Sequence, residues 1–199
     1  MTGKPTVLPL PDADLLFYER VDLGHDDDRL LQQLVDETDW QQENITLFGK
    51  TRPQPRLIAW YGDPGASYTY SGVRHEPRPW TALLLDLCRR IESIAGSPFN
   101  SVLLNYYRGP RDSMGLHADD EPELGPEPVI ASLSLGEQRK FYLKHRSRRD
   151  LPVFNLPLPP GSLLIMRGAT QQHWKHGLRK LSRPCGPRVN LTFRRILDS

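Results

Sequence analysis

Cysteine and long apolar runs are scarce in this sequence of 199 residues. The two cysteines, Cys88 and Cys185, can form at most one disulfide. Neither has the Cys-x-x-Cys or Cys-x-x-His spacing of a zinc site, so we interpret both as reduced thiols. No run approaches the roughly 18 to 20 apolar residues that span a bilayer, and residues 1–10 lack the apolar core of a secretory signal. We therefore expect a cytoplasmic protein with no membrane partner.

Proline, in contrast, is abundant. The chain has 19 prolines in 199 residues, nearly twice the usual share of about 5%. Because proline is kept out of helix interiors and central strands, this composition favours a loop-rich, mostly β protein. Hydrophobic residues at 38% and charged residues at 25% exclude a coiled coil and a wholly disordered chain. The length predicts one domain over residues 1–199.

The spacing of apolar residues predicts two helices followed by a series of strands. Helical spacing occurs over 26–38 and again over 80–95, where Pro79 precedes the run and Gly96 ends it. Short β-like runs, separated by glycine and proline signals, follow at 101–107, 129–135, 139–145, 161–166 and 188–194. The pattern predicts a mostly β sandwich or small barrel with flanking helices.

Charge is distributed unevenly along the chain, although the net charge is only +2. Residues 1–50 hold 4 Lys/Arg and 11 Asp/Glu, whereas residues 139–199 hold 14 and 2. A basic final third favours a polyanionic partner. A solvated basic face has the same composition, so charge alone leaves both interpretations open.

The triplet His117-Ala118-Asp119 is a candidate metal site. In an extended strand residues i and i+2 project from the same face, so the two side chains can bind one ion. A distant histidine would complete a two-histidine, one-carboxylate triad, which leaves positions open on Fe(II) for a cosubstrate and dioxygen. His173 and His176 are both candidates, and spacing does not decide between them. The triplet alone is a weak signal, since such residues more often lie in surface loops.

The run from Arg188 to Arg194 alternates polar and apolar residues. Alternation places its polar side chains on one face: Arg188, Asn190, Thr192 and Arg194. Burying two guanidinium groups without acidic partners is costly, so a buried face of this kind predicts a bound dianion, which arginine grips through paired hydrogen bonds. An edge strand with its polar face in water is the alternative.

Four segments together resemble the AlkB-type Fe(II)- and 2-oxoglutarate-dependent dioxygenases that repair alkylated nucleic acids. They are Asn105-Tyr106-Tyr107, His117-Ala118-Asp119-Asp120-Glu121, His176-Gly177-Leu178 and the R-x-N-x-T-x-R run Arg188–Arg194. They follow the family's order, the resemblance covers about residues 45–196, and it is nearest to the homologues that act on double-stranded DNA. It implies a double-stranded β-helix, or jelly roll, that holds Fe(II) between its sheets and uses 2-oxoglutarate and O2.

The resemblance also implies roles for individual residues. His117, Asp119 and His176 would be the iron ligands, because the Gly-Leu after His176 matches the family and favours it over His173. For 2-oxoglutarate, we assign the remote carboxylate to Arg188 with Tyr107 and the end near the iron to Arg194 with Asn105, supported by Asn190 and Thr192.

Further segments resemble the parts of the family that contact nucleic acid. Tyr68-Thr69-Tyr70 resembles a hairpin that contacts a base extruded from the stack. Asp120 would accept a hydrogen bond from the exocyclic amino group of that base. Phe48-Gly49-Lys50 resembles a turn that fills the gap left in the duplex. Cross-strand packing of the tyrosines and solvation of Asp120 are the alternatives. Two basic groups are expected at phosphates: Lys144, His145, Arg146, Arg148 and Arg149, and Arg179, Lys180 and Arg183.

The expected function is oxidative dealkylation of 1-methyladenine and 3-methylcytosine in duplex and single-stranded DNA, with formation of succinate and formaldehyde. Residues 1–44 are expected to form a helical extension and about 45–98 a nucleotide-recognition region of a monomer. One alternative is a 2-oxoglutarate-dependent hydroxylase or demethylase of RNA or protein. Another is a nucleic-acid-binding jelly roll without catalysis.

Overall fold

A computed structural model describes residues 2–47, 50–70 and 73–197. The strands in chain order are β1 (Thr6–Val7), β2 (Asp14–Tyr18), β3 (Asn44–Leu47), β4 (Lys50–Pro53), β5 (Leu57–Gly62), β6 (Tyr68–Tyr70), β7 (Val73–His75), β8 (Ser101–Tyr107), β9 (Met114–His117), β10 (Ile130–Gly136), β11 (Arg139–His145), β12 (Phe154–Leu158), β13 (Leu163–Arg167), β14 (Trp174–Leu178) and β15 (Arg188–Arg194). The helices are α1 (Asp27–Glu37), α2 (Ala82–Ala95) and α3 (Thr170–His173), and a 3-10 turn covers Pro122–Leu124.

Two antiparallel sheets form the body of the fold. The larger has the strand order β1-β2-β13-β10-β15-β8-β5, and the smaller has the order β12-β11-β14-β9. Strands distant in the chain pair with each other, as β2 does with β13 and β8 with β15, which gives the interleaved order of a jelly roll. The expectation of a mostly β jelly roll with flanking helices is confirmed.

Apolar side chains cover both faces of the larger sheet. Successive strand residues point to opposite faces, so Leu164 and Ile165 of β13 belong to different cores. The outer core joins the sheet to α1 and α2 through residues that include Leu30, Leu34, Leu87, Ile91, Leu191 and Phe193. The inner core joins the two sheets through residues that include Ile130, Leu143, Leu156 and Trp174. Because both helices pack on the outer face of the sheet, the inner face is available for the site described below.

The two helices lie where the apolar spacing predicts them. Asp26 caps α1 by accepting the Arg29 backbone N–H, and Thr81 caps α2 by accepting that of Leu84. Gly96 ends α2 with a positive φ of 65°, a backbone conformation that favours glycine. Among the predicted strands, 101–107, 139–145 and 188–194 have the bounds that we expected, and the other two are displaced by one or two residues.

The segment 1–44 contains more than the expected helix. Strand β2 pairs with β13 from Leu163↔Tyr18 to Arg167↔Asp14, and β1 pairs with β2 at the edge of the larger sheet. The segment is therefore an integral part of that sheet as well as a helical cover. A short apolar run such as that of β2 lacks a clear alternation, so periodicity does not separate it from a helical segment.

Both cysteines are free thiols, as predicted. Burial raises the pKa of Cys88 to about 12, which suits an inert packing residue. Across the described residues, no helix is both long and apolar enough to cross a bilayer.

Candidate metal centre

Three potential metal ligands converge between β9, β14 and the segment that follows β9. His117 and His176 are paired across these strands, and their rings lie edge to face with centroids 4.4 Å apart. Asp119 lies two residues beyond the end of β9 and points its carboxylate between them. Its oxygens are 3.7 Å from His117 Nε2 and 3.8 Å from His176 Nε2. The three ligand atoms lie within 4.8 Å of one another.

The protonation states of this cluster suit a divalent cation. Burial favours the neutral form of Asp119, but Arg194, His176 and His117 outweigh it and lower the pKa of the carboxyl to about 2. Burial, with His117 and Arg194 nearby, lowers the pKa of His176 to about 3. At neutral pH Asp119 is therefore a carboxylate and His176 a neutral imidazole, which are the forms that bind metals. Ligand atoms this close together are a candidate set for a single ion.

Neighbouring groups hold each of the three side chains in place. Arg194 donates to Asp119 Oδ1 at 2.9 Å, and Gln171 Oε1 accepts the backbone N–H of Asp119 at 3.0 Å. His117 Nδ1 lies 3.0 Å from the carbonyl oxygen of Gly115, which only accepts, so Nδ1 carries the proton and Nε2 has its lone pair free for a metal. His176 stacks on Phe141 with ring centroids 5.1 Å apart.

The cluster opens into a cavity of about 570 Å³, within the usual range of roughly 300–1,000 Å³ for small-molecule sites. Besides the three potential ligands, its polar wall on the larger sheet consists of Asn105, Ser132, Asn190, Thr192 and Arg194. Side chains from the segments 43–45 and 52–56 also line it, as does Lys180. The three potential ligands thus face a cavity large enough to hold a small dianion beside a metal ion.

Strand β15 supplies most of the polar wall. It lies between β10 and β8, and every one of its residues is buried. The alternative of an edge strand with its polar face in water is therefore wrong. Asn190 Nδ2 donates to Ser132 Oγ and to the Leu133 carbonyl, both at 2.8 Å, and Thr192 Oγ1 donates to Asn190 Oδ1 at 3.0 Å. This network fixes the two side chains at the cavity.

Arg188 is a buried cation next to this network. It is 2% exposed and donates to Ser134 Oγ at 2.9 Å, and its guanidinium lies 5.2 Å from the centroid of the Tyr107 ring. No carboxylate of the described residues pairs with it, and its Nε has no hydrogen-bond partner there. Burial lowers its pKa to about 10, so it stays charged at neutral pH. Arg188 and Tyr107 lie one step beyond Asn190 and Asn105 on the inner face and do not line the cavity directly.

The structure separates the two candidates for the third histidine. His173 does not join His117 and Asp119 but groups with Asp12 and His145, against whose ring it stacks. The backbone N–H groups of Ser147 and Arg148 both point at His145 Nδ1, so the proton lies on Nε2, which donates to Asp12. This second group is a hydrogen-bonded structural cluster, in which Nε2 of His145 is not free for a metal.

The segments expected to contact nucleic acid are only partly described. Phe48 and Gly49 lie outside the described residues, and Lys50 begins β4, which pairs with β3. Tyr68, Thr69 and Tyr70 form β6, which pairs with β7 in a separate two-stranded sheet. Asp120 is half exposed, accepts a hydrogen bond from Arg146 and does not line the cavity.

Three polar residues at or near the site do not belong to any sequence motif. Arg56 Nε donates to Asn105 Oδ1 at 2.7 Å on the cavity wall. Gln171 contacts Asp119 as described above. Arg139 is 1% exposed and donates to the carbonyls of Asp112 and Arg179 at 3.0 and 2.6 Å. One feature of the sequence indicates that Arg139 is unusual. It lies on the same alternating face of β11 as Phe141, Leu143 and His145, where a charge is unexpected.

Comparisons with known proteins agree with this geometry. The family model of the 2OG-Fe(II) oxygenase superfamily matches residues 24–194. The mouse protein named alpha-ketoglutarate-dependent dioxygenase alkB homolog 3 is 44% identical over 177 residues, which cover 85% of this chain and 61% of that protein. The human DNA oxidative demethylase ALKBH2 is 40% identical over 179 residues, which cover 85% and 69%.

The fold also matches a solved structure, that of OsALKBH1, over 96% of this chain and 99% of that one, with a TM-score of 0.63 and 17% sequence identity. At this identity the match supports the fold alone. The chain spans about 61% of the length of the mouse and human alkB homolog 3 proteins.

Proposed function

The chain belongs to the AlkB-type members of the 2OG-Fe(II) oxygenase superfamily, and from this premise we propose that it removes methyl groups oxidatively from 1-methyladenine and 3-methylcytosine in DNA. The superfamily implies Fe(II), 2-oxoglutarate and O2. The observation that carries the proposal is the convergence of His117, Asp119 and His176 at one end of a cavity whose wall is the buried arginine strand β15.

In this proposal His117, Asp119 and His176 hold Fe(II). With its cosubstrate bound, the metal supplies the oxidising chemistry: O2 and 2-oxoglutarate yield succinate and CO2, one oxygen atom enters succinate, and the other enters the methyl group. The hydroxymethyl group then leaves the base nitrogen as formaldehyde. The protein's own part would be to hold the metal through these three side chains at the cavity and to keep Asp119 ionised.

We assign the buried arginines to the cosubstrate. Arg188, which has no carboxylate partner among the described residues, is assigned with Tyr107 to the remote carboxylate of 2-oxoglutarate. Arg194 and Asn105 line the cavity closer to Asp119 and are assigned to the keto acid end. Asn190 and Thr192, already fixed by their own hydrogen bonds, support the bound molecule between these ends.

We assign base recognition to Asp120 and to the two segments that resemble the nucleic-acid contacts of the family. Asp120 is to accept the exocyclic amino group that adenine and cytosine share, and Tyr68, Thr69 and Tyr70 are to contact the extruded base. Both methylated bases are cations at neutral pH, so aromatic contacts gain a cation–π attraction of roughly 0.5–2 kcal/mol. Phe48, Gly49 and Lys50 are to fill the vacated position in the duplex. A methyl group that blocks base pairing lowers the cost of extrusion, which favours lesions over intact bases.

The division of the chain follows from the same proposal. We assign residues 1–199 to one oxygenase domain, in which 45–98 form the nucleotide-recognition region. The hairpins β3–β4 and β6–β7 support this, because each is a two-stranded sheet separate from the jelly roll, and Ile45, Arg52 and Pro53 of the first line the cavity. We further propose a monomer that acts on duplex and single-stranded DNA in the cytoplasm.

The test is release of formaldehyde and succinate from an oligonucleotide with a single 1-methyladenine, with Fe(II), 2-oxoglutarate and ascorbate. Single-stranded, duplex and RNA versions are compared, each beside its unmethylated counterpart, and His117→Ala serves as the inactive control. Methyl-dependent formaldehyde supports the proposal. Succinate formed equally with and without the methyl group would instead indicate an RNA or protein substrate. DNA binding without either product would indicate a non-catalytic binding protein.

A further inference from the structure

Gln171 is a buried side chain whose amide joins two parts of the candidate metal centre. It is 1% exposed. Its Oε1 accepts the backbone N–H of Asp119 at 3.0 Å, and its Nε2 lies 3.4 Å from the sulfur of Met166, a residue that lines the cavity. A backbone N–H needs an acceptor and a thioether sulfur can only accept, so these partners determine the orientation of the amide.

The backbone that carries Gln171 is itself well anchored. Helix α3 is a single turn between β13 and β14, so Gln171 stands five residues before His176 on the same connection. The adjacent Thr170 Oγ1 accepts the Asp14 backbone N–H at 2.9 Å and donates to the Arg167 carbonyl at 2.6 Å. The turn is thus tied to β2 and β13, and Gln171 extends from a fixed base.

Asp119 is the potential ligand that most needs such support. His117 and His176 lie on paired strands, whereas Asp119 lies beyond the last residue of β9. Its carboxylate is held by Arg194 and its backbone by Gln171. Without the second contact, the peptide that carries the carboxylate loses a hydrogen bond that fixes its orientation, and the buried N–H is left without an acceptor, which is costly.

We propose that Gln171 is a positioning residue of the metal centre, which fixes the backbone of Asp119 and thereby keeps its carboxylate between His117 and His176. The inference rests on the proposed use of these three residues as ligands, but not on the identity of the substrate. Mutation of the hydrogen-bond partners of metal ligands typically lowers metal affinity by about 10- to 100-fold. Gln171→Met, which keeps the length and apolar stem but replaces the amide oxygen by a weakly accepting thioether sulfur, should therefore weaken metal binding by about 10- to 100-fold.

Two further variants separate positioning from packing. Gln171→Glu keeps an acceptor at the same place, and in its protonated form also a donor toward Met166, so it should bind metal far more tightly than Gln171→Met. Gln172→Met makes the same chemical change at the next residue, an exposed side chain that donates to the Pro126 carbonyl at 2.7 Å. It should bind metal as the unmodified protein does.

The measurement is titration of each purified, metal-free protein with Mn(II), followed by the loss of the free Mn(II) signal in electron paramagnetic resonance. Thermal unfolding in the presence of a chelator reports folding independently of metal binding. The expected result is a 10- to 100-fold higher Kd for Gln171→Met alone, in a protein that remains folded. An unchanged Kd, or an equal increase in Gln171→Glu, would overturn the inference.

The outcome is distinguishable from failure of the proposed function. If Mn(II) binding follows this pattern but no methyl group is removed from DNA, the positioning role stands and the substrate is wrong. If His117→Ala binds Mn(II) as tightly as the unmodified protein, the ligand set is wrong and the inference falls with it.

Discussion

Replacement of Arg188 by methionine should affect the free protein and the cosubstrate complex in opposite directions. Burial lowers the pKa of this guanidinium from its ordinary value to about 10, which corresponds to an unfavourable free energy of roughly 3 kcal/mol. The group is charged at neutral pH in both the folded and the unfolded chain, so this cost is present in full there. Replacing buried ion pairs by apolar residues of similar volume is often neutral or stabilising by about 1–4 kcal/mol, and a buried cation without a carboxylate partner has less attraction to lose. We therefore expect Arg188→Met to unfold at the same or a higher temperature without cosubstrate.

The same change should remove the stabilisation by 2-oxoglutarate. A ligand at 100 times its Kd stabilises a protein by about 2.7 kcal/mol. For a domain of this size that raises the unfolding temperature by roughly 5–10 °C. Losing the buried partner of a carboxylate costs about 2–5 kcal/mol, or roughly a 30- to several-thousand-fold weaker Kd. Most of the temperature rise should then disappear at the same concentration.

The assay is thermal unfolding with Mn(II), with and without 2-oxoglutarate. Arg167→Met is a control, since Arg167 pairs with Asp14 at 2.9 Å and does not line the cavity. It should keep the rise caused by 2-oxoglutarate. An Arg188→Met protein that is less stable and still responds fully to 2-oxoglutarate would refute the assignment, because Arg188 would then be a structural cation.

Three other predictions concern acid stability and nucleic acid. The pKa of His176 is about 3 in the folded chain and 6.5 in an ordinary histidine. In the presence of a chelator, the free energy of unfolding should therefore fall as the pH is lowered from 6.5 towards 3. In a pH series of urea titrations, His176→Gln should flatten that part of the curve. Phe48→Ala should reduce repair of duplex more than of single-stranded 1-methyladenine, and equal losses in the two rate assays would remove its role as a wedge. If about five basic side chains contact phosphates, the logarithm of the affinity for duplex DNA should fall with the logarithm of the salt concentration at a slope near −4.5. Fluorescence anisotropy at a series of salt concentrations measures this slope, and a value near zero would contradict phosphate binding by these side chains.

The parts of the fold that sequence predicts well are those with a long, regular pattern. Strand β15 alternates over seven residues, so its bounds and the placement of its polar side chains on one face follow from the sequence. That this face is buried follows only from its position between β10 and β8. The helical spacing around Leu30 and Leu87 likewise identifies α1 and α2. Strand β2, strand β12 and the strands of the two hairpins have five residues or fewer, which is too short for a clear period. Strand β2 also pairs with β13, which is distant in the chain.

The candidate site divides in the same way. His117 and Asp119 are two residues apart and are recognisable together, although β9 ends at His117 and the strand argument does not extend to Asp119. The choice of His176 over His173 depends on the register of β14 with β9, and the single turn of α3 brings His173 to a different cluster. Gln171 and Arg56 contact residues that are 52 and 49 positions away, and no spacing rule predicts such pairs.

The central claim is that one site, built from His117, Asp119 and His176 beside the arginine strand, couples consumption of 2-oxoglutarate to removal of a methyl group from DNA. The most direct test is the ratio of formaldehyde to succinate released from a 1-methyladenine oligonucleotide during many turnovers. The account predicts one formaldehyde for each succinate formed above the unmethylated background, and neither product with Asp119→Ala. Succinate without any methyl-dependent formaldehyde, or formaldehyde that persists in Asp119→Ala, would contradict it.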